Sequence, residues 1–169
     1  MIFRLLIVTI VISFLLAGCD HGLEPPKENQ RTAISGTITY QNWPPADSLK
    51  DLRLVAFKEY PPLDIFSEII SGQAVVYPPI AAAAGLPMNN IEYYDYVMDL
   101  PAGNYAYLVV AQLYGNNITA DWRAVGQYDT TGSGLDSIPT AIILTENQVL
   151  DSIDIHVDFH NLPYQPFGD

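Results

Sequence analysis

Four residues near the C-terminus alternate in a way that suits metal ligation: Asp154, His156, Asp158 and His160. On a β-strand, residues two apart project to the same side, about 6.5–7 Å from one another. Adjacent members can share a divalent cation such as zinc if a neighbouring strand supplies a further ligand, because imidazole and carboxylate both suit such ions. The plainer reading is a solvated polar face on which Asp and His balance charge, and nothing nearby in the sequence clusters like ligands. A second set is aromatic. Trp43 stands before Pro44-Pro45, Trp122 lies in Ala120-Asp121-Trp122-Arg123, and 11 tyrosines accompany them. Exposed, the indoles can stack on sugar rings, since such sites combine apolar faces with polar rims. Buried, they plug the ends of a core, with the tyrosines at strand positions they favour. The sequence favours the plugs.

Catalytic patterns are missing. A nucleophile triad needs Ser or Cys held by a histidine base. Gly132-Ser133-Gly134 lacks the spacing of a nucleophile elbow and reads as a turn. No phosphate-cradling glycine loop, His-Glu-x-x-His or EF-hand spacing occurs. The expectation is a protein that is not an enzyme and carries no resident cofactor.

The N-terminus sets the compartment. Arg4 is the one charge in residues 1–18, and an apolar run from Leu5 to Ala17 is broken only by Thr9 and Ser13. That is the three-part plan of a secretory signal. A run of about a dozen residues falls short of the roughly 20 a membrane-spanning helix needs. Leu16-Ala17-Gly18-Cys19 resembles the bacterial lipobox. The resemblance implies cleavage before Cys19 and attachment of diacylglycerol and an N-acyl chain to it, anchoring the protein to a lipid bilayer of the cell envelope. Asp20 follows, a residue that in enteric bacteria favours the inner membrane but not in other phyla, so the leaflet stays open. Cys19 is the sole cysteine, so no intrachain disulfide can form.

Beyond residue 18 remain 151 residues, enough for one domain with a sizeable core. Six of the seven basic residues and all 19 acidic ones lie there, a net charge of −13. Nucleic acid, whose binding depends on basic groups neutralising phosphates, is excluded as a partner class. Residues 19–31 read as the lipidated cysteine and a polar, proline-bearing tether, and 32–169 as the domain.

Period-two alternation marks strands with one buried face. It predicts strands at 32–40, 52–58, 69–77, 93–100, 105–114, 122–128, 140–144 and 152–159. In the first, Ile34, Ile38 and Tyr40 share a side. The second is apolar on both faces, hence central. In the last, Ile153, Ile155, Val157 and Phe159 point inward. Ile80–Gly85 is read as loop, and Pro101-Ala102-Gly103-Asn104 as a hairpin turn with Gly103 at positive φ. With no amphipathic helix evident after residue 18, the fold class is all-β, an antiparallel β-sandwich of seven or eight strands of prealbumin or immunoglobulin type.

Ile34-Ser35-Gly36-Thr37-Ile38, followed later by the stretch 94–111 with its Leu100-Pro101-Ala102-Gly103-Asn104-Tyr105 turn, resembles the carboxypeptidase-regulatory and transthyretin-like sandwich modules. The resemblance covers about a quarter of the domain and departs from the family in the Pro/Ala-rich stretch around 78–90. It implies an accessory or binding module. The hydroxyisourate-hydrolysing branch ends in Tyr-Arg-Gly-Ser, whereas this chain ends Tyr164-Gln165-Pro166-Phe167-Gly168-Asp169, so that activity is excluded. The leading expectation is a membrane-anchored envelope lipoprotein whose sandwich binds or scaffolds an envelope protein. A glycan-binding lipoprotein using Trp43 or Trp122, and a metal-dependent site on the final strand, are the alternatives.

Overall fold

The computed structural model describes residues 31–63, 65–131 and 138–166. The stretches read above as a signal and, up to residue 30, a tether, Cys19 with them, and Gly132-Ser133-Gly134, read above as a turn, lie outside the described residues, as do the last three residues. The elements run in order as β1 (Ala33–Gln41), a 3-10 turn (Ala46–Ser48), β2 (Asp51–Phe57), α1 (Ile65–Ile70), β3 (Ala74–Tyr77), β4 (Tyr93–Asp99), β5 (Gly103–Tyr105), β6 (Tyr107–Leu113), β7 (Trp122–Gln127), β8 (Ile142–Leu144), β9 (Val149–Leu150) and β10 (Ile155–Asp158).

The fold is the all-β sandwich expected. One four-stranded sheet has the order β10-β1-β4, with β9 also paired to β1; the other has the order β3-β2-β6-β7. Between them lies a core of Ile34, Ile38, Leu54, Met98, Leu108, Val110, Ile155 and Val157. Alternation in β1 and β4 sends every second side chain into it. In β2 and β6 all the apolar residues are buried, because the odd-numbered side chains (Val55, Phe57, Tyr107, Val109, Ala111) form a second cluster on the outer face. Every strand and both clusters belong to the compact unit Arg31–Asp169, which therefore holds its whole core.

Five details depart from the sequence reading. Ten strands are found among the described residues, because 105–114 breaks at Ala106 and 152–159 is preceded by the short β9. The stretch 93–114 is not a hairpin: β4 pairs with β1, β5 with β8, and β6 with β2 and β7. The Pro101–Asn104 turn instead carries the chain out of the first sheet into a separate two-stranded β5–β8 ladder, from which β6 enters the second sheet. The Tyr105 hydroxyl donates to the Pro101 carbonyl at 2.8 Å, in the manner of a tyrosine corner. Gly103 is not in the left-handed region; among the described residues the glycine with positive φ is Gly72, at 72°. Residues 69 and 70 end a helix, 71–73 are the turn that follows it, and only 74–77 are strand. Gly72 sits one residue past the helix cap, where its amide bonds the Ile69 carbonyl and the Gln73 amide bonds that of Glu68, which is a Schellman stop. Finally, β9 and β10 run parallel to β1, unlike the other ladders.

The parallel edge is interrupted at 151–154, and the interruption is closely held. The Ile153 amide donates to Ser35 O at 3.0 Å, and the Tyr96 hydroxyl donates to Ile153 O at 2.6 Å. The Asp154 carboxylate accepts the Thr37 amide at 2.8 Å, doing for β1 what a strand carbonyl would have done. Burial, and then the nearby Asp154 charge, raise the Tyr96 phenol above its ordinary value, so it remains a donor. Gly36 makes this approach possible, since a Cβ there would fall on the Ile153 carbonyl. On the other flank of β10, a Cβ at Gly126 would lie 2.6 Å from His156 O and 2.7 Å from a Val157 methyl, so β7 and β10 meet edge to edge across the sandwich.

Gly36→Ala should cost about 2 kcal/mol or more in urea unfolding, because the clash is with backbone that cannot swing aside. Gly72→Ala has open space around it and should cost only about 1 kcal/mol, the penalty of a left-handed backbone alone. Equal costs at the two sites would contradict the packing described at Gly36.

Candidate functional site

The outer face of the second sheet is covered over only part of its area. α1 lays Ile65 and Ile69 across the end formed by Val55, Phe57 and Val109. The remaining part is an open cleft of about 160 Å³. Its floor comes from alternate residues of the strands: Asp51, Arg53 and Val55 of β2, Val76 of β3, Ala111 and Leu113 of β6, and Trp122 of β7. Phe66 and Ile69 wall it on the helix side, Ile80 on the loop after β3, and Ile118 on the loop before β7.

That last loop is stiff. The Asn117 side chain accepts from the Thr119 amide and hydroxyl, Asp121 accepts from the Asn117 amide, and Tyr114 and Asp121 are joined through the backbone. The Trp122 indole N–H donates to Ile118 O at 2.8 Å, which leaves the ring as an apolar wall with its donor spent. Ile118 itself is 60% exposed, an apolar rim above that ring.

Arg53 and Asp51 are the charged groups in the lining. Arg53 is 7% exposed and donates through Nε to Asp51 Oδ2 at 2.8 Å. Its Nη1 donates to the carbonyls of Pro78 and Pro79, at 2.9 and 3.1 Å. The chain then returns over the pair: the Leu86 amide bonds Leu52 O, and Gly85 packs against both the Asp51 carboxylate and that carbonyl.

Trp43 is not part of this site. It is half-buried against the inter-sheet core, its ring 4.9 Å from both Tyr40 and Phe159, and its N–H donates to Ile91 O at 2.9 Å. The structure thus separates the two indoles, making Trp43 a core plug and Trp122 a cleft wall.

The final-strand residues alternate outward as expected, but each is engaged locally. Asp154 serves Thr37, and His156 Nδ1 lies 3.0 Å from the Thr39 hydroxyl. Asp158 accepts from the Asn42 amide group and from the His160 backbone amide, and His160 lies in the turn beyond β10. Among the described residues no group of three or more His, Cys, Asp or Glu is placed to hold a metal ion. Arg53 escaped the sequence reading, although a lone arginine inside the apolar run 52–57 was a usable signal, since charged residues are rarely buried without partners.

No protein-family model, no curated protein and no solved structure matches the chain.

Two outcomes check this layout. Trp43→Ala should destabilise the domain by about 2–4 kcal/mol in urea unfolding, as loss of a large core side chain does; an unchanged midpoint would place the ring outside the core. The hydrogen bond from Asn42, followed by that of the His160 amide, holds the Asp158 carboxyl below the usual carboxylate range. A depressed folded-state value means the associated stabilisation is present above the unfolded-state value and is lost as pH falls through the folded one. Asn42 has φ 56°, so Asn42→Gly removes the donor and keeps the backbone. In that variant the Asp158 carboxyl, followed by NMR, should titrate at higher pH than in the parent.

Proposed function

We propose that the protein is a lipid-anchored module of the bacterial cell envelope that binds rather than catalyses. Leu16-Ala17-Gly18-Cys19 behind a short apolar run supports the anchor, with acyl chains on Cys19 as the attachment. The cleft on the outer face of the second sheet supports the binding, and it is the observation that carries this reading. Sites for ligands are concave, mainly apolar and provided with few convergent polar groups. This one joins an apolar floor to a single buried arginine and a rim held by its own hydrogen bonds. Modules of the carboxypeptidase-regulatory or transthyretin-like kind are the proposed relatives, on Ile34–Ile38 and the Leu100–Tyr105 turn.

An envelope protein is the proposed partner. A glycan is a poorer fit, because sugar rings carry hydroxyls all round, while the Trp122 donor is already spent on Ile118. A metal-dependent activity on the final strand is poorer still, as Asp154 and Asp158 both serve backbone amides.

The anchor is tested by fractionation of cells expressing the full chain. The parent should sediment with membranes and Cys19→Ala should lose the acyl chains and leave that fraction. Undiminished membrane retention of an unlipidated Cys19→Ala would contradict the anchor.

A further inference from the structure

β4 is the last strand of the first sheet, and its backbone is bonded on one side only. Its antiparallel ladder with β1 is extended at the two ends by Leu100 N to Thr32 O and Tyr40 N to Glu92 O. Bonding alternates along such a ladder, so Tyr94, Tyr96 and Met98 direct their N–H and C=O groups at β1. Those of Tyr93, Asp95, Val97 and Asp99 point the other way. Among the described residues no strand lies on that side, and no hydrogen bond reaches those backbone groups. An open edge seven residues long is a template for another strand.

Charge is the usual guard of such an edge. Here both acids of the strand are drawn back toward β1 and its flank. Asp95 accepts from the Thr37 hydroxyl at 2.7 Å, and Asp99 is held by Arg31 through Nε and, at 3.0 Å, Nη2. The other outward residues, Tyr93 and Val97, are 64% and 40% exposed. The edge is thus free to pair, and the order of its side chains selects the partner. A two-fold axis perpendicular to the sheet sets β4 antiparallel to a second β4 and keeps both core faces on one side. Centred on Tyr96, it pairs the whole strand: Tyr93 with Asp99, Tyr94 with Met98, Asp95 with Val97, and Tyr96 with itself. No acid then faces an acid. Centred on Asp95, it sets that carboxylate against its own copy; centred on Val97, it sets Asp95 against Asp99. Like charges directly opposite are destabilising. Axes further along the strand pair fewer residues, so the full-length register is also the one free of like-charge pairs.

We propose that β4 is a self-pairing edge, through which two copies of this chain join their first sheets about a two-fold axis at Tyr96. A foreign strand would use the same backbone groups; a second copy is the occupant whose charges this strand's own sequence matches. One strand pair buries less than the roughly 1,200–2,000 Å² of a standard interface, so the pairing is weak and fills as copies are concentrated. The proposal goes beyond the reading of the protein as an anchored binding module and does not depend on it.

The test uses the unit from Arg31 onward, which holds the whole core and lacks Cys19, the sole cysteine. Asp95→Cys mixed with Val97→Cys should give a disulfide-linked dimer under mild oxidation at millimolar concentration, since facing residues lie within bridging distance. Either variant alone should stay monomeric, because each position lies diagonally from its own copy, beyond that reach. In the parent, raising the concentration should shift the amide signals of Tyr93, Asp95, Val97 and Asp99 more than those of Tyr94, Tyr96 and Met98. Val97→Pro removes an outward N–H and no bond to β1, so it should melt close to the parent and lose those shifts. Should that variant fail to fold, the cysteine pair still decides. A dimer from Asp95→Cys alone or from Val97→Cys alone overturns the register. No dimer from the mixture, or no concentration-dependent shift along β4, overturns the self-pairing and leaves the edge to a foreign strand.

Discussion

Everything in this sandwich that involves the last thirty residues depends on how Ile153 meets β1. Its amide bonds Ser35, its carbonyl takes the buried Tyr96 hydroxyl, and its backbone lies on the bare Cα of Gly36. Ser152, at φ 61°, turns the chain into this position, and Asp154 supplies the acceptor that the broken ladder lacks for Thr37. With that contact made, β10 runs in register beside Ile38–Gln41, and Val157 can reach Gly126 on the opposite sheet. One residue without a side chain therefore decides whether the two sheets close along this edge. The polar side chains that look like metal ligands are better explained by the same need, because a parallel ladder with a gap must find partners for its buried amides.

The opposite flank follows a different logic. The second sheet has apolar residues on both faces, and its outer face is only partly roofed by a helix six residues long. Where the helix stops, Arg53 holds the chain after β3 by two carbonyls and Asp51 by its carboxylate. The same arginine thus fixes the rim at Pro78–Pro79 and sits in the floor. A hydrophobic residue at position 53 would close that floor, whereas arginine keeps it partly polar and open. Retaining a buried ion pair where an apolar residue would pack as well is a sign of something other than stability.

Much of this was legible in the residues and some was not. The alternations in 32–40 and 152–159 name the buried side chains correctly, since each of those strands has one face on the core. The run 105–114 misled, because burial on both faces of 107–113 removes the period-two signal that separates one strand partner from another. A turn as tight as Pro101–Asn104 reads as a hairpin when in fact it joins two sheets, and local sequence does not record which distant strand each arm pairs with. The helix was marked by Gly72 behind Ile69-Ile70, a stop signal overlooked in favour of the β-branched residues that follow it. The cleft was the hardest feature to foresee. Its floor draws on residues 51 to 122 in four strands, and only the partial roof makes it a cavity at all.

Native-state hydrogen exchange of the unit from Arg31 onward tests the central claim most directly, namely a sandwich locked by its last strand beneath an outer face left partly open. The account predicts that the amides of Thr37 and Ile153 exchange only with global unfolding, while those of Gly72 and Gln73 at the end of the roofing helix exchange through smaller local openings. Early exchange at Ile153, with Gly72 and Gln73 among the last to open, would contradict it, for it would make the final strand an appendage and the helix the true closure of the fold.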